Sequence, residues 1–467
     1  MANVIIAGAG ISGLSAAHWI KKLGHNVLVL EKSSRTGGVI ETLRQDGYLF
    51  EKGPNSFLDN VPETMELCSE LQLDNELLKQ SLRDNKRFIF LNDKLHEVPN
   101  GPGGLYHTEI LSRKTKKKLF TELFRKGNRS PEDESLASFI RRRFGEEILH
   151  RIVTPFVSGV YAGDPEKLSL RATFPLLYEL ERQHGSLTRG MISRMFRRKK
   201  NSSKKKRAKN LCSFVDGMSS LTDALTRELK NDLRLNASIH SVRHLPHGGF
   251  QIVTGDPISQ PVEGHALVLA VPAYAAADIA EPLLPRTAPY LRTIPYNRLN
   301  VIGLGFRKQD VQHACDGFGY LVPRNQGVRI LGSIWSSSLF VRRAPAGERC
   351  FTIFIGGGLD PDAYDLPDEE LRSQVKEDLF KTVGVNEDPR CQHIFRWEKA
   401  IPQYPVGHVE KIENLQLERS AVPGLFLTGN YLNGVSTNDC IRNGKEVAAE
   451  VHEFLNSSSS DTGRDTP

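Results

Sequence analysis

Residues 2–38, ANVIIAGAGISGLSAAHWIKKLGHNVLVLEKSSRTGG, decide the fold. The apolar run Asn3–Ala7 reads as a strand that leads directly into GAGISG at 8–13. In such a unit Gly8 permits the tight turn out of the strand, Gly10 lets a pyrophosphate approach the backbone, and Gly13 lets the following helix pack close to the sheet. Ile11, Leu14, Ala17 and Ile20 fall on one side of that helix. A second apolar run, VLVL, ends at Glu31, about 20 residues beyond the glycines, where an acid accepts from a ribose hydroxyl. Strand, glycines, helix, strand and terminal acid therefore predict a dinucleotide-binding βαβ unit for an unphosphorylated ribose. Arg35, Gly37 and Gly38 extend the motif with a second glycine pair that lets more backbone lie along a long cofactor, which favours FAD over NAD.

The chain has 467 residues, enough for about three units of ordinary domain size. No run approaches the roughly 18 to 20 apolar residues of a membrane span. The first strand begins at residue 3, which leaves no room for a leader and predicts a cytoplasmic protein, soluble or peripherally attached. Cys68, Cys212, Cys315, Cys350, Cys391 and Cys440 are scattered, without CxxC spacing, and suggest neither a metal site nor a disulfide framework. The formal charge of +7 is local: 189–209 holds eleven Lys or Arg and no acid, leaving −4 for the remainder. That segment reads as an exposed insertion suited to anionic lipid headgroups, with the basic stretch 113–118 as a second contributor. The missing interleaved aromatics argue against nucleic acid.

Along the chain, 60–80 reads as helix and NKRFIFLNDKLHEVP (85–99) as a hairpin turning at Asn92 and Asp93. From 105 to 198 the pattern is mostly helical, with Ser130 as cap and Pro131 at the first position of one helix. ALVLAVP (266–272) is a buried strand. Residues 274–397 alternate strands and helices, including the apolar, glycine-rich GFGYLVP and FTIFIGGG. GLFLTGNYLNGVSTNDCIRNGKEVAAEVHEF reads as strand, glycine-rich loop and helix, followed by a tail at 458–467 disordered by composition. The nucleotide fold is thus discontinuous: 1–84, 210–273 and 398–457 form it, 85–205 is a helical domain, and 274–397 is a substrate domain. The C-terminal helix start at 437–439 is expected beneath the flavin, its dipole stabilising charge on the reduced ring.

Absences narrow the chemistry. A second GxGxxG for NAD(P)H and a redox cysteine pair are both missing from the sequence, which leaves an oxidase or desaturase whose donor is the substrate. No hydrolytic triad, HExxH or carboxylate pair stands out, so no catalytic acid or base is assigned. A flat, apolar substrate held against the flavin for hydride loss fits the apolar segments, with orientation supplying most of the rate.

GAGISG, EKGPNSFL (51–58), SGVYAGDPEKLSLRATFP (158–175), GFGYLVP, RWEKAIPQYPVGH (396–408) and GNYLNGVSTNDCIRNG (429–444) together resemble the oxygen-dependent protoporphyrinogen oxidases, within the FAD-containing amine oxidase and phytoene desaturase superfamily. The similarity covers nearly the whole chain. It implies an α/β architecture: a discontinuous Rossmann-like FAD-binding domain, a mixed α+β substrate domain, and a helical domain that docks on membranes. It also implies oxidation of protoporphyrinogen IX to protoporphyrin IX in three FAD-mediated steps, with dioxygen reduced to hydrogen peroxide. A homodimer, hand-over of product to ferrochelatase, and a place on the inner face of the cell membrane are further implications.

Carried over residue by residue, the FAD contacts are Gly8, Ala9, Gly10, Ile11, Ser12, Gly13, Glu31, Arg35, Gly38, Gly53, Pro54, Asn55, Ser56, Val242, Asn430, Val435, Ser436 and Thr437. Substrate contacts fall on the Gly159 carbonyl near the pyrrole nitrogens, on Phe318, Leu321 and Phe354 against the rings, on Arg87 for a propionate, and on Asn55. Phe318 and Phe354 are expected to sandwich the macrocycle. Asn55 stands where some relatives carry arginine, which leaves the second propionate's anchor open. Coproporphyrinogen III is the alternative substrate for the same chemistry. A carotenoid desaturase or amine oxidase is a more distant alternative, and a flavin-free binding protein like the prenyl-GTPase chaperones is one from another class.

Overall fold

The computed structural model describes residues 3–82, 86–99, 104, 107–128, 132–201, 209–255 and 260–461. Strands Leu233–Arg234, Asn26–Leu30, Asn3–Ala7, Ala266–Leu269 and Leu425–Leu427 form, in that order, an all-parallel sheet. Both faces are covered, which explains why these strands are continuously apolar instead of alternating. Val4, Ile6, Val29 and Val268 point to one side, against the helices Ile11–Lys22, Ser219–Glu228 and Thr437–Asp461. Ile5, Ala7, Leu30, Leu267 and Leu269 point to the other, against Ala273–Ala280 and Ala288–Thr293. Those two helices therefore pack on the nucleotide sheet, although the sequence boundary at 273 assigned them to the substrate domain.

A second sheet runs Cys391–Pro402, Tyr296–Arg307, Glu348–Gly356, Gly332–Ile334, Gly317–Leu321, Lys86–Leu91 and Lys94–Glu97. It is antiparallel except where Gly317–Leu321 pairs with Lys86–Leu91. Asn92 and Asp93 turn the expected hairpin with φ of 51° and 57°, the left-handed pair that matches strand twist. That hairpin completes the large sheet, so it belongs with the strands of 296–402 and not with the helical unit to which the sequence boundary at 85 assigned it. Helix Asp368–Val383 covers one face through Leu371, Val375 and Leu379. The opposite face looks toward the nucleotide unit.

The helical unit is held by charge as well as by its apolar core. Fully buried Glu122 accepts from the backbone of Leu187 (3.0 Å) and Thr188 (3.0 Å) and from the Ser186 hydroxyl (2.9 Å), capping helix Leu187–Asn201. Buried Arg143 lies 3.2 Å from both Glu122 and Glu181 and ties that cap to two further helices. The basic segment thus starts as helix and not as a loop, while 202–208 lie outside the described residues. Ser130 and Pro131 also lie outside them, and the helix expected there starts at Leu136 with Ser135 as its cap.

Two other local expectations differ. Helix at 60–80 is confined to Pro62–Glu70, because Gln72 takes a φ of 60° and Leu77–Ser81 becomes a strand paired with Asn210–Phe214. That long-range pairing overrides local helix preference. The final helix continues to Asp461, four residues into the segment expected as tail, and 462–467 lie outside the described residues.

Candidate active site

The glycine turn behaves as its spacing requires. Gly8 has a φ of 100°, and a Cβ on Gly13 would sit 1.9 Å from the Gly8 carbonyl oxygen. Gly10 is different: no atom lies within 4 Å of its Cβ position. Helix Ile11–Lys22 begins there with no side-chain cap and no acid in its first turn. Its leading N–H groups and positive dipole end therefore face open space lined by Ala9, Gly10, Ile11 and Ser12, which suits a pyrophosphate.

Glu31 follows its strand directly and accepts from the backbone of Ala9 and of Ser33, each at 2.8 Å. A carboxylate offers about four acceptor sites, so it retains capacity for a ribose hydroxyl. Arg35 donates to the Gly38 carbonyl (2.7 Å) and pairs with Glu41 (2.9 Å), and Gly37 donates to the Ala9 carbonyl, so this loop lies against the glycine turn. Val242 is buried beside Leu30 in the core next to that acid.

The 53–56 turn is anchored by Asn55, whose amide donates to the Gly53 carbonyl (3.2 Å) while its Oδ1 accepts from Thr352 (3.4 Å). At the C-terminal loop, Ser436 and Asp439 form a reciprocal cap on helix Thr437–Asp461 at 3.1 and 3.3 Å. Buried Tyr404 donates to the Asn430 carbonyl, and buried His408 stacks on Tyr404 with ring centres 4.5 Å apart. Burial holds the His408 imidazole down to about 4, so it is neutral. This gives a role to the IPQYPVGH string that spacing alone did not disclose: it braces the loop carrying Asn430, Val435 and Ser436. The turn, the acid, the glycine loop and the second helix start are together a chain-long cradle that fits FAD.

Leu321 and Phe354 lie on the face of the second sheet opposite helix Asp368–Val383. Ile89, Leu321, Gly332, Phe354, Val301 and Phe395 stand directly opposite one another across successive strands and share that face. Leu321 leans over Gly332, where a Cβ would lie 3.2 Å from its side chain. Above it, helix Thr154–Tyr161 brings Gly159 so close that a Cβ there would be 2.3 Å from the Leu321 side chain. Gly159, Leu321 and Phe354 are thus gathered by the fold.

Phe318 lies apart from that row: it packs with Leu211, Leu339 and Phe340, and Phe354 with Ala162, Leu299 and Phe395. The two rings flank strand Gly332–Ile334 and do not face each other as a sandwich. Arg87 is exposed, opposite Gly319, with its guanidinium 5.9 Å from the Phe318 ring. A carboxylate arriving at that edge would meet it.

Two residues that the sequence did not single out line a pocket with Asn55, Ser56, Phe318 and Ser336: Glu51 and Arg343, exposed by 4% and 2%. Burial pushes the Glu51 carboxyl up to about 7, against hydrogen bonds from Thr42 (2.7 Å) and the Met218 backbone (2.8 Å) and the charge of Arg343. The available signal was an acid closing the apolar strand Tyr48–Glu51 immediately before the GPNS turn.

Comparison with known proteins supports a flavin cofactor. The flavin containing amine oxidoreductase model matches residues 11–452. The chloroplastic protoporphyrinogen oxidase of rice is 34% identical over 97% of this chain and 89% of its own length. The coproporphyrinogen III oxidase of Bacillus subtilis is 30% identical over 97% of this chain and 98% of its own. Among solved structures, one from Exiguobacterium sp. 255-15 superposes with a TM-score of 0.80 at 24% identity, covering 97% of this chain and 99% of that one. Cyclohexylamine oxidase of Brevibacterium oxydans does so with 0.70 at 18% identity, covering 97% and 99%.

Proposed function

We propose that this chain, which belongs to the flavin containing amine oxidoreductase family, oxidises protoporphyrinogen IX to protoporphyrin IX with FAD as its cofactor. The observation that carries the substrate is the apolar row Leu321, Gly332, Phe354 and Val301 beneath Gly159, with Arg87 at its edge. A macrocycle can lie flat on such a row once the flexible Leu321 side chain, which packs on Gly159, turns aside, and a guanidinium suits its propionate. FAD, when bound, accepts a hydride and passes electrons on to dioxygen. The chain's own part is to orient: the Gly159 backbone and the row position the macrocycle, and Tyr404 and Asn55 hold the loops that carry cofactor contacts.

Coproporphyrinogen III is the second reading, favoured by the near-complete coverage of the Bacillus relative. Flavin-loaded protein in air, given each porphyrinogen side by side, tests both through porphyrin fluorescence and peroxide. Faster turnover of protoporphyrinogen IX is expected. Turnover of neither would overturn the porphyrinogen reading.

We further read the helical unit as a docking surface for anionic membranes. Phe124 is 80% exposed, Phe196 68% and Phe120 62%, and Lys114, Lys117 and Arg194 stand exposed on the same helices or beside them. Helix Leu187–Asn201 packs on the turn Glu122–Phe124, so these apolar side chains belong to neighbouring elements. Among the described residues no helix is long and apolar enough to cross a membrane. Apolar tips among cations suit peripheral attachment.

A further inference from the structure

The proton accounting of the proposed reaction leaves one group to be found. In each two-electron oxidation a bridging CH2 loses hydrogen with both bonding electrons, and one proton leaves as the new double bond forms; over three rounds the six hydrogens come from four bridging carbons and two pyrrole nitrogens. Dioxygen that has taken the two electrons needs that proton to leave as hydrogen peroxide. Atoms and charge close when one group holds the proton between the two halves of the cycle.

We propose that Glu51 is this proton store, in the pocket it shares with Asn55, Ser56, Phe318 and Ser336, which meets the macrocycle row at Ile334, two residues along its strand from Gly332 and on the same face. The proposal rests on the porphyrinogen reading above. Glu51 ends strand Tyr48–Glu51 directly before the turn that carries Asn55, and its carboxylate is among the most enclosed in the chain. The pocket is polar on the Glu51, Asn55 and Ser336 sides and of a size for a bridging water.

The groups around Glu51 allow both protonation states. From the paired strand Thr42 donates to one carboxylate oxygen, and from the turn before helix Ser219–Glu228 the Met218 N–H donates to the other. Arg343 faces it as the buried cation, itself held by the Ser213 hydroxyl (2.8 Å) and the Phe214 carbonyl (2.9 Å). Arg44 is the further cation and pairs with Asp216, and buried Cys350 is the remaining titratable neighbour. Burial favours the acid, the two hydrogen bonds and Arg343 favour the carboxylate, and the balance lies near neutrality at about 7.

Glu51→Gln tests this with little structural change: its Oε1 still accepts from Met218, and its amide can donate to the Thr42 hydroxyl. In flavin-loaded wild type the proposal expects kcat to follow an ionisation near neutral pH. In the variant kcat falls by about 100-fold or more, that ionisation disappears, and KM changes little. Reduced-minus-oxidised infrared spectra, with dithionite as reductant, should show a carboxyl C=O signal in wild type that Glu51→Gln lacks. Unchanged kcat and pH profile in the variant, or no carboxyl signal in wild type, would overturn the assignment. If flavin-loaded wild type oxidises neither porphyrinogen, the function reading fails while the infrared result still decides Glu51. If Glu51→Gln does not fold, Glu51→Asp and carboxyl-labelled wild type supply the same infrared decision.

Discussion

Gly10 and Gly13 occupy one motif, yet their structural surroundings predict opposite consequences of adding a side chain. Gly10 has φ −72° and ψ 176°, a conformation open to any residue, and nothing lies within 4 Å of its Cβ position. Gly10→Val should therefore leave the flavin-free protein within about 0.5 kcal/mol of wild type. Its methyl groups would project into the space before the helix N-terminus and displace the pyrophosphate. Loss of two charge-assisted contacts, each worth about 1.5–3 kcal/mol, weakens FAD binding by about 3–6 kcal/mol, or roughly 100-fold to 10,000-fold. At a wild-type saturation of about 1,000 Kd, FAD adds about 4 kcal/mol to stability, and the variant should lose most of it.

Gly13→Ala is the contrast. Its Cβ would lie 1.9 Å from the Gly8 carbonyl oxygen, a backbone atom that cannot swing aside, so the flavin-free fold itself should weaken by about 1–3 kcal/mol or more. Flavin absorbance per chain after desalting, and melting with and without added FAD, separate the two effects. Full flavin in Gly10→Val, or a flavin-free melting loss equal to that of Gly13→Ala, would refute the geometry.

Other perturbations address the remaining parts of the molecule. Arg87→Ala should raise KM by more than it lowers kcat, because it removes binding remote from the reacting carbon; steady-state kinetics with an unchanged KM would remove Arg87 from the site. Glu122→Ala leaves Arg143 buried with one partner fewer and uncaps helix Leu187–Asn201, and should cost about 3–5 kcal/mol in denaturant unfolding. Burial opposes ionisation of Glu122, but hydrogen bonds from Thr188, Leu187 and Ser186 outweigh it and hold its carboxyl below the ordinary 4.5. With the folded value depressed, this contribution is present above pH 4.5 and is lost as pH falls through the folded value, which melting of wild type and Glu122→Gln from neutral to acid pH can follow. Phe120→Ser with Phe124→Ser should reduce partitioning onto anionic liposomes, and raised salt should reduce it further. Partitioning unchanged by both would remove the docking surface.

The sequence by itself determined the nucleotide unit, because its signals are local: a strand, a turn only glycine can make, a helix start and an acid at set spacing. Glu31 and the 8–13 turn lie where the motif put them, and so does the Asn92–Asp93 hairpin turn, for the same reason. Local reading failed where pairing was distant. Leu77–Ser81 looks helical until Asn210–Phe214 is available to pair with it, and Lys86–Glu97 reads as an isolated hairpin until Gly317–Leu321 lies alongside.

The proposed substrate face belongs wholly to tertiary structure. Leu321, Gly332, Phe354, Val301 and Phe395 come from five strands whose register no local pattern encodes, and Gly159 reaches them from a helix in another unit. Phe318 and Phe354 could be named from the chain, but only the strand order separates their rings. Glu51 is the sharpest case. In sequence it is one acid among many, and its chemistry arises when the fold encloses it beside Arg343, since removal from water sets the ease with which a carboxyl gains or gives up a proton.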